Sequence, residues 1–336
     1  MREPAFWQPP SSWLSRLLMP LAAIYGEIAG SRMARQGVAV GIPVLCVGNY
    51  HVGGAGKTPT TLALVALLRE LGETPVVLSR GYGGSLRGPV QVDLVRHVAA
   101  EVGDEPLMMA RGVTVVISSD RVAGAALARS TGASVIVMDD GFQNPAVAKD
   151  ASIIVIDGDR GLGNGRVLPA GPMRAPLDLQ VARTDALVIV GRGTAADGVA
   201  KQVVVKGAPV FRAQLRPAAE SLAALQGRRV LAFAGIGDPG RFFRTLRSSG
   251  VDVVVEKPFP DHHPYADGDV AALFAEAQRE SLTLVTTEKD MVKLRGLSGT
   301  ESIVPFAVTL AFTEEAALRA FVVERLNSAR AMKFRV

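Results

Sequence analysis

The chain has 336 residues, of which 48% are hydrophobic and 21% are charged, so it is long enough for about two folded domains and too apolar for a disordered protein. Its single cysteine, Cys46, excludes a disulfide framework and a cysteine-based metal site. The net charge of +5 suits an anionic partner such as a nucleotide or a phospholipid surface, and no apolar run is long enough to predict a transmembrane helix.

The first predicted helical segment lies within residues 11 to 35, with Ser11 or Ser12 as its cap and Pro20 as a break. Apolar side chains recur in it at helical spacing: Trp13, Leu17, Leu21, Ile24 and Ile28. One interpretation packs this stripe on the protein core. The other places it at a lipid surface, with arginines among the headgroups.

Short β-branched runs then alternate with helical patterns. Strands are predicted at 43–47, 75–79, 113–117, 134–138, 152–156 and 186–190, and helices at 58–71 and 121–130. The strands are nearly continuous apolar runs, as expected for strands buried on both faces. The pattern predicts an α/β fold with a doubly wound parallel sheet.

The alternation of strand and helix patterns is interrupted at residues 202–215. Two β-branched runs there flank a Lys-Gly-Ala-Pro turn and predict a β-hairpin. A second α/β series follows, with strands at 230–234, 251–255 and 282–286 and helices at 240–248, 269–280 and 314–326. We therefore predict an amphipathic region at 1–35, a larger α/β domain at 36–212 and a smaller α/β domain at 213–336. The hairpin would be the hinge between the two domains.

The strongest chemical signal follows the first strand and precedes a helix. It consists of Gly53, Gly54, Ala55, Gly56, Lys57 and Thr58. Glycines let backbone N–H groups surround a phosphate, the lysine reaches the β- and γ-phosphates, and the threonine hydroxyl ligates Mg²⁺. The usual first glycine of this loop is replaced by His51.

A second signal is the apolar run 135–138, which ends in Asp139 and Asp140. An acid at the carboxyl end of a strand beside a phosphate-binding loop supports Mg²⁺. Two further motifs remain open from the residues alone. The loop 79–84 offers Arg80 and Tyr82 to a phosphate or a sugar, or is an ordinary glycine-rich turn. Asp104 is a general base, or simply an acid in the first turn of a helix.

Two motifs near the end of the chain carry weaker signals. His262 and His263 lie in a proline-flanked loop without the spacing of a metal site. The run Thr286-Thr287-Glu288-Lys289-Asp290 lacks the asparagine and the order of a guanine-reading loop, which disfavours a GTPase.

Together these motifs resemble the tetraacyldisaccharide 4′-kinase family, which phosphorylates the disaccharide precursor of lipid A in Gram-negative bacteria. The similarity spans most of the chain in the same order. It includes Ser79–Gly84, Gly103–Pro106, Asp139–Gln143, Leu168–Arg174, Asp261-His262 and Glu288–Asp290.

The resemblance implies ATP and Mg²⁺ as cofactors and an acylated glucosamine disaccharide 1-phosphate as substrate. It implies a phosphotransferase held peripherally on the cytoplasmic face of the inner membrane, with no nucleic acid and no obligate protein partner. Residues matching Asp104 and His262 act near the accepting hydroxyl. We assign the metal to Thr58, Asp139 and Asp140, and the substrate to Arg80, Tyr82, Arg121 and Gln143.

The family usually has glutamate where this chain has Ala175, so one carboxylate near the metal is missing. The alternative function is a P-loop ATPase or metallochaperone switch without lipid chemistry. It leaves the amphipathic segment and the distant Asp104 and His262 unexplained. Because these two residues fall in different predicted domains, we expect them to meet only when the domains close.

Overall fold

The computed structural model describes residues 4–9 and 12–333, which form two β-sheets flanked by helices. The predictions for the remaining residues, including the alternative cap Ser11, lie outside this part of the chain. The strands are β1 (Val44–Gly48), β2 (Pro75–Ser79), β3 (Val90–Gln91), β4 (Thr114–Ile117), β5 (Val135–Asp139), β6 (Ala151–Asp157), β7 (Ala186–Val190), β8 (Val210–Pro217), β9 (Arg229–Ala234), β10 (Asp252–Pro258), β11 (Thr283–Thr287), β12 (Val304–Phe306) and β13 (Val308–Phe312). The helices are α1 (Trp13–Leu17), α2 (Met19–Met33), α3 (Lys57–Glu70), α4 (Ala99–Val102), α5 (Asp104–Met109), α6 (Arg121–Ser130), α7 (Leu177–Ala182), α8 (Asp197–Val205), α9 (Ala219–Leu225), α10 (Pro239–Ser248), α11 (Asp267–Glu280), α12 (Glu288–Lys293) and α13 (Glu315–Lys333).

The larger sheet has the strand order β13-β8-β7-β6-β1-β5-β2-β4-β3. The strands from β8 to β4 in this order are parallel, and only the edge strands β13 and β3 pair antiparallel. Helices α3, α5 and α13 pack on one face, while α6, α7, α8 and the end of α2 pack on the other. The predicted doubly wound α/β fold is confirmed.

The smaller sheet has the order β10-β9-β11-β12 and is entirely parallel. Helices α9 and α10 cover one face and α11 covers the other, so this unit has its own apolar core. The predicted second α/β series is therefore correct in type. Helix α12 directly follows β11 and packs against α5 of the larger unit.

The predicted hairpin at residues 202–215 is wrong. Val203 belongs to helix α8 and β8 pairs parallel with β7. The prediction failed because Val203, Val204 and Val205 are β-branched, and β-branched residues favour strands. In the structure Val199 and Val203 are buried four residues apart, as one helix face requires, whereas Val204 and Val205 are exposed.

The two units are instead joined by two strands that lie side by side. β8 pairs antiparallel with β13, and Pro217 is the register partner of Val308. The chain leaves the larger unit after β8 and returns at β13. The structure thus differs from the predicted boundary at residue 213, because β13 completes the larger sheet and α13 packs on that sheet.

The amino-terminal helices turn small residues inward and large ones outward. Ser12 caps α1 through the N–H of Ser15. Ala22, Gly26 and Gly30 are buried along α2, and a Cβ on Gly30 would lie 2.6 Å from Leu179 Cδ1. The apolar side chains at helical spacing are 57–75% exposed: Trp13, Leu17, Leu21, Ile24 and Ile28. This excludes the interpretation that these five pack on the core.

We name these five residues the apolar stripe. Glycine and alanine on the inner side let the helix backbone approach the protein closely, so the large side chains are not needed there. In the described residues no helix combines the length and hydropathy needed to cross a bilayer.

Candidate active site

The sequence motifs converge at one edge of the larger sheet because β1, β5 and β2 are adjacent and parallel. Carboxyl ends of parallel strands meet at the same edge, where open α/β sheets bind ligands. The loop 49–56 follows β1, Asp139 ends β5, and Arg80 follows β2. Asp104 begins α5, which contacts β4.

The glycine-rich loop has the backbone that a phosphate cradle requires. Gly53 and Gly56 have φ values of 98° and 89°, a region that residues with a side chain rarely adopt. A Cβ on Gly56 would also lie 3.2 Å from Val190 Cγ2. Helix α3 starts at Lys57 without a side-chain cap, so the first N–H groups of its positive end face the loop. Ala55 is buried, and Lys57 and Thr58 are partly buried.

Amide side chains hold the backbone of the glycine-rich loop through hydrogen bonds. Asn49 Nδ2 donates to the carbonyl of Gly53 at 3.2 Å. Gln143 Nε2 donates to the carbonyl of Asn49 at 2.7 Å and to Gln180 Oε1 at 2.9 Å. The structure therefore gives Gln143 contacts that position the loop, where the sequence analysis assigned it to substrate.

His51 occupies a position where the fold does not need glycine. It pairs as an antiparallel bridge with Met173 and has no positive φ. The ring is buried, with Nδ1 2.8 Å from the carbonyl of Val52. Burial lowers the pKa of His51 to about 3, so the imidazole is neutral. The departure from the usual loop pattern is thus a change of strand pairing that leaves the cradle intact.

Asp139 is buried and only weakly hydrogen-bonded. Thr61 Oγ1 and Ser79 Oγ donate to its carboxylate at 3.3 and 3.4 Å. Burial first, then the charges of Glu105 and Asp140, raise its pKa to about 7. Buried oxygen ligands next to other acids favour a hard cation.

Asp140 is held differently from its neighbour. Its backbone has φ 49°, and Arg174 donates to both carboxylate oxygens at 2.7 and 3.1 Å. Lys57 Nζ lies 3.8 Å from Asp140 Oδ1. Burial acts to raise the pKa of Asp140, but Lys57 and Arg174 outweigh it and hold that pKa below its usual value. Of the two acids, Asp139 therefore has the less compensated charge.

The two units meet in a direct contact between Asp104 and His262. His262 Nδ1 lies 2.9 Å from Asp104 Oδ2, although 158 positions separate the residues. The Tyr82 ring contacts the His262 ring edge-on at a centroid distance of 5.8 Å. Burial acts to raise the pKa of Asp104, but the hydrogen bond from His262 and the charge of Lys289 lower it below its usual value. The pair that we expected only on domain closure is formed here.

Sequence analysis missed a second contact beside this pair. Lys289 Nζ lies 3.0 Å from Glu105 Oε1 and 3.7 Å from Asp104 Oδ2. Lys289 is the second residue of α12, at the carboxyl end of β11. The sequence signal for this contact was the run Glu288-Lys289-Asp290 directly after a strand. The lysine adds positive charge next to Asp104 and links the two units.

A further unpredicted ion pair joins the units at another point of the same edge. Asp157 ends β6 and pairs with Arg241 of α10. Asp157 Oδ1 also accepts from the N–H of Asp159 at 2.9 Å. Since β6 lies on the side of β1 away from β5, the contacts at Asp104 and Asp157 approach the glycine-rich loop from opposite sides.

The remaining predicted substrate residues differ in exposure. Arg80 is exposed and Tyr82 is 71% exposed, and both line a shallow depression with Arg87. Arg121 is buried, and its Nη1 donates to the carbonyl of Ser118 at 2.9 Å. The structure thus leaves Arg80 and Tyr82 available to a ligand, whereas Arg121 lies beneath the surface.

Residues 14–327 match the sequence profile of the tetraacyldisaccharide-1-P 4′-kinase family. The chain belongs to this family. A tetraacyldisaccharide 4′-kinase of Rhodopseudomonas palustris is 67% identical over 99% of this chain and 98% of its own length. One from Nitrobacter winogradskyi is 62% identical over 98% and 99% of the two chains.

A solved family structure agrees in fold as well. The "apo" form of LpxK from Aquifex aeolicus, crystallised in complex with ATP, superposes with a TM-score of 0.74 at 29% identity. The superposition covers 93% of this chain and 99% of that one. Members of the family are kinases that transfer phosphate to a hydroxyl group, and this chain shares that enzyme class. The predicted family, fold and enzyme class are confirmed.

Proposed function

We propose that this chain transfers the γ-phosphate of ATP to the 4′-hydroxyl of an acylated glucosamine disaccharide 1-phosphate through the residues described above. The observation that carries the assignment of roles is the 2.9 Å contact between Asp104 and His262 at the edge of the sheet that also holds the glycine-rich loop. Phosphoryl transfer is mainly a matter of positioning and charge stabilisation, and this edge supplies both.

ATP would lie with its phosphates in the loop 53–56. Backbone N–H groups at the start of α3 and the ammonium of Lys57 are the donors there. Support for ATP comes from the Aquifex aeolicus LpxK, which is described as a complex with ATP. Lys57 stays partly buried above Asp140, so its charge is oriented before a nucleotide arrives.

The residues present fit a magnesium ion. Asp139 offers a buried carboxylate with long hydrogen bonds and a pKa raised by burial and by neighbouring acids, which a cation would relieve. Thr58, the second residue of α3, would contribute its hydroxyl. Bound there, Mg²⁺ would neutralise charge on the phosphates. In the described residues no three His, Cys, Asp or Glu side chains form a metal cluster, which agrees with a site completed by phosphates.

The proton of the 4′-hydroxyl would pass to the Asp104–His262 pair. Asp104 Oδ1 accepts from the N–H of Glu105 and Oδ2 contacts His262, so the carboxylate is fixed in direction and kept ionised. Asp104 takes the proton, and His262 orients the carboxylate or relays the proton to it. Tyr82, whose ring contacts His262, and the exposed Arg80 of the same loop would contact the sugar or its phosphate.

The reaction is tested by incubating the purified protein with ATP labelled at the γ-phosphate and the acylated disaccharide 1-phosphate in neutral detergent micelles. Labelled lipid on a thin-layer plate is the expected result. Release of labelled inorganic phosphate alone would instead identify an ATPase or nucleotide switch. Disaccharide that already carries a 4′-phosphate serves as the control substrate and should remain unlabelled.

We also propose that the apolar stripe binds the enzyme to the inner face of the inner membrane, where its lipid substrate lies. A contiguous set of exposed Trp, Leu and Ile residues is typical of an interfacial helix. Arg16 and Arg32, each near the end of its helix, supply the cations expected at headgroup level.

Replacing Leu21, Ile24 and Ile28 by glutamine should lower binding to phospholipid vesicles at least about tenfold, because a fully buried Leu or Ile contributes about 1.5–3 kcal/mol. Sedimentation with vesicles measures this, and circular dichroism checks the fold. Deleting residues 1–35 would be a poorer test, because Ala22, Gly26, Gly30 and Met33 are buried.

The matched control replaces Val95, Val98 and Val254 by glutamine. These valines are exposed apolar residues outside the stripe. Equal loss of vesicle binding in both triple variants would mean that general surface hydropathy binds the membrane, and the stripe would have no special role.

A further inference from the structure

A basic pocket lies at the edge of the larger sheet opposite the active site. It is a cavity of about 250 Å³, and its four cationic lining residues are Arg35, Lys149, Arg183 and Lys206. Lys149 lies just before β6, and Asp185, the one acid in the lining, lies just before β7. Because β6 and β7 are parallel to β1, the start of each strand lies at the sheet edge opposite the one that holds the glycine-rich loop. The pocket is therefore separate from the ATP site.

Three cations of the basic pocket make side-chain hydrogen bonds to backbone carbonyls. Lys149 Nζ donates to the carbonyl of Asn144 and Lys206 Nζ to that of Thr184, both at 2.5 Å. Arg183 Nε donates to the carbonyl of Met33 at 3.1 Å. None of these hydrogen bonds ends on a carboxylate.

The carboxylate of Asp185 already contacts two groups of the protein outside the four cations. Its Oδ2 accepts the N–H of Ser152 at 2.8 Å, and its Oδ1 lies 3.5 Å from Arg325. Burial lowers the pKa of Lys149 and Lys206, and for Lys206 the charge of Asp185 partly offsets that effect. Because one carboxylate faces four cations, the lining keeps an excess of positive charge, which attracts an anion.

The position of the pocket next to α2 indicates that its anion is a lipid headgroup. Met33, the last residue of α2, lines it, so the pocket adjoins the carboxyl-terminal end of the helix that carries the apolar stripe. A helix whose apolar side chains enter a bilayer holds its ends at headgroup depth. Basic pockets at that depth bind phosphate headgroups. The cavity is smaller than the roughly 300–1,000 Å³ of pockets that enclose whole small molecules.

We propose that the basic pocket binds the phosphate of an anionic phospholipid headgroup, and so anchors the kinase at a second point beside the apolar stripe. The phosphate oxygens would accept from Arg35, Lys149, Arg183 and Lys206. The two contacts differ in chemistry, since the stripe recognises any bilayer whereas the pocket requires negative charge. Anchoring at both would fix the rotation of α2 on the membrane surface.

The test compares two double variants with equal loss of charge. Arg35→Gln with Lys206→Gln alters the pocket. Arg69→Gln with Lys201→Gln is the control, because these residues lie on α3 and α8, are exposed, and do not line the cavity. Sedimentation is measured with vesicles of phosphatidylcholine alone and of equimolar phosphatidylcholine and phosphatidylglycerol.

The wild-type protein should bind the anionic vesicles more tightly, and the pocket variant should lose about tenfold of that gain. The control variant should stay within about twofold of wild type. Equal losses in both variants would show diffuse attraction by surface charge and overturn the proposal. Equal binding of the wild-type protein to both kinds of vesicle would overturn it as well.

A second measurement separates lipid from free phosphate. Glycerol 3-phosphate is added to wild type and pocket variant, and the thermal midpoint is recorded. Strong stabilisation of the wild type alone, without preference for anionic vesicles, would identify a soluble phosphate ligand and refute the lipid. Kinase activity in neutral detergent should be unchanged in the pocket variant. A loss of turnover there would place the pocket in the catalytic cycle and contradict a purely anchoring role.

Discussion

Replacing Lys57 by alanine should lower phosphoryl transfer at least about 10²- to 10³-fold while the protein remains folded. Removing one preorganised donor from a developing negative charge has an effect of this size. The fold should survive because Arg174 still pairs with both oxygens of Asp140 when Lys57 is absent. Turnover at saturating lipid and ATP, together with the thermal midpoint, measures both expectations.

Lys201→Ala is the matched control for this variant. Lys201 lies exposed on α8, on the other side of the larger sheet from α3. Its loss changes the net charge equally and should leave turnover unchanged. Turnover near the wild-type rate in Lys57→Ala would refute the assignment of the loop 53–58 to ATP.

Replacing Asp104 or His262 by alanine should lower kcat by about 10² to 10⁴, because a positioned base contributes that much to removing the hydroxyl proton. The KM for ATP should change little, since the loop that holds the phosphates is untouched. If the residues act as one unit, the double variant should be scarcely slower than the slower single variant. Steady-state kinetics of all three variants at saturating lipid provide the measurement.

Three outcomes would contradict this account. Losses that multiply in the double variant would show independent roles. Unchanged kcat in Asp104→Ala would show that the acid only begins α5. A large rise in the KM for ATP would move Asp104 to the metal site. His263→Ala is the control for local disruption, because His263 neighbours His262 but contacts Asp269 and Phe259 instead.

The sequence predicted those parts of the fold that depend on local pattern. The buried strands, the helices at 121–130 and 240–248 and the glycine-rich loop were recognisable because period, composition and turn residues agree over short stretches. The hairpin at 202–215 failed for the same reason, since three consecutive valines indicated a strand. Burial of Val199 and Val203 against the sheet, a tertiary effect, favoured the helix.

The site was predictable only in part. Asp104 and His262 were identified through resemblance to a family, because no local rule links residues 158 positions apart. The contacts Lys289–Glu105 and Asp157–Arg241 depend on the orientation of the smaller unit relative to the larger one. No local pattern in a single sequence predicts that orientation. Exposure of the apolar stripe could be read from small residues on the opposite side of α2, which the sequence analysis overlooked.

Because β8 pairs antiparallel with β13, the smaller unit is an insertion between two neighbouring strands of the larger sheet. Its first and last residues leave the larger sheet next to each other, since Pro217 and Val308 are register partners and such Cα atoms lie about 5 Å apart. A two-residue turn is long enough to connect antiparallel neighbours. Excising the intervening segment and joining these two positions would therefore convert β8 and β13 into an ordinary hairpin, with every strand of the nucleotide-binding half still in place.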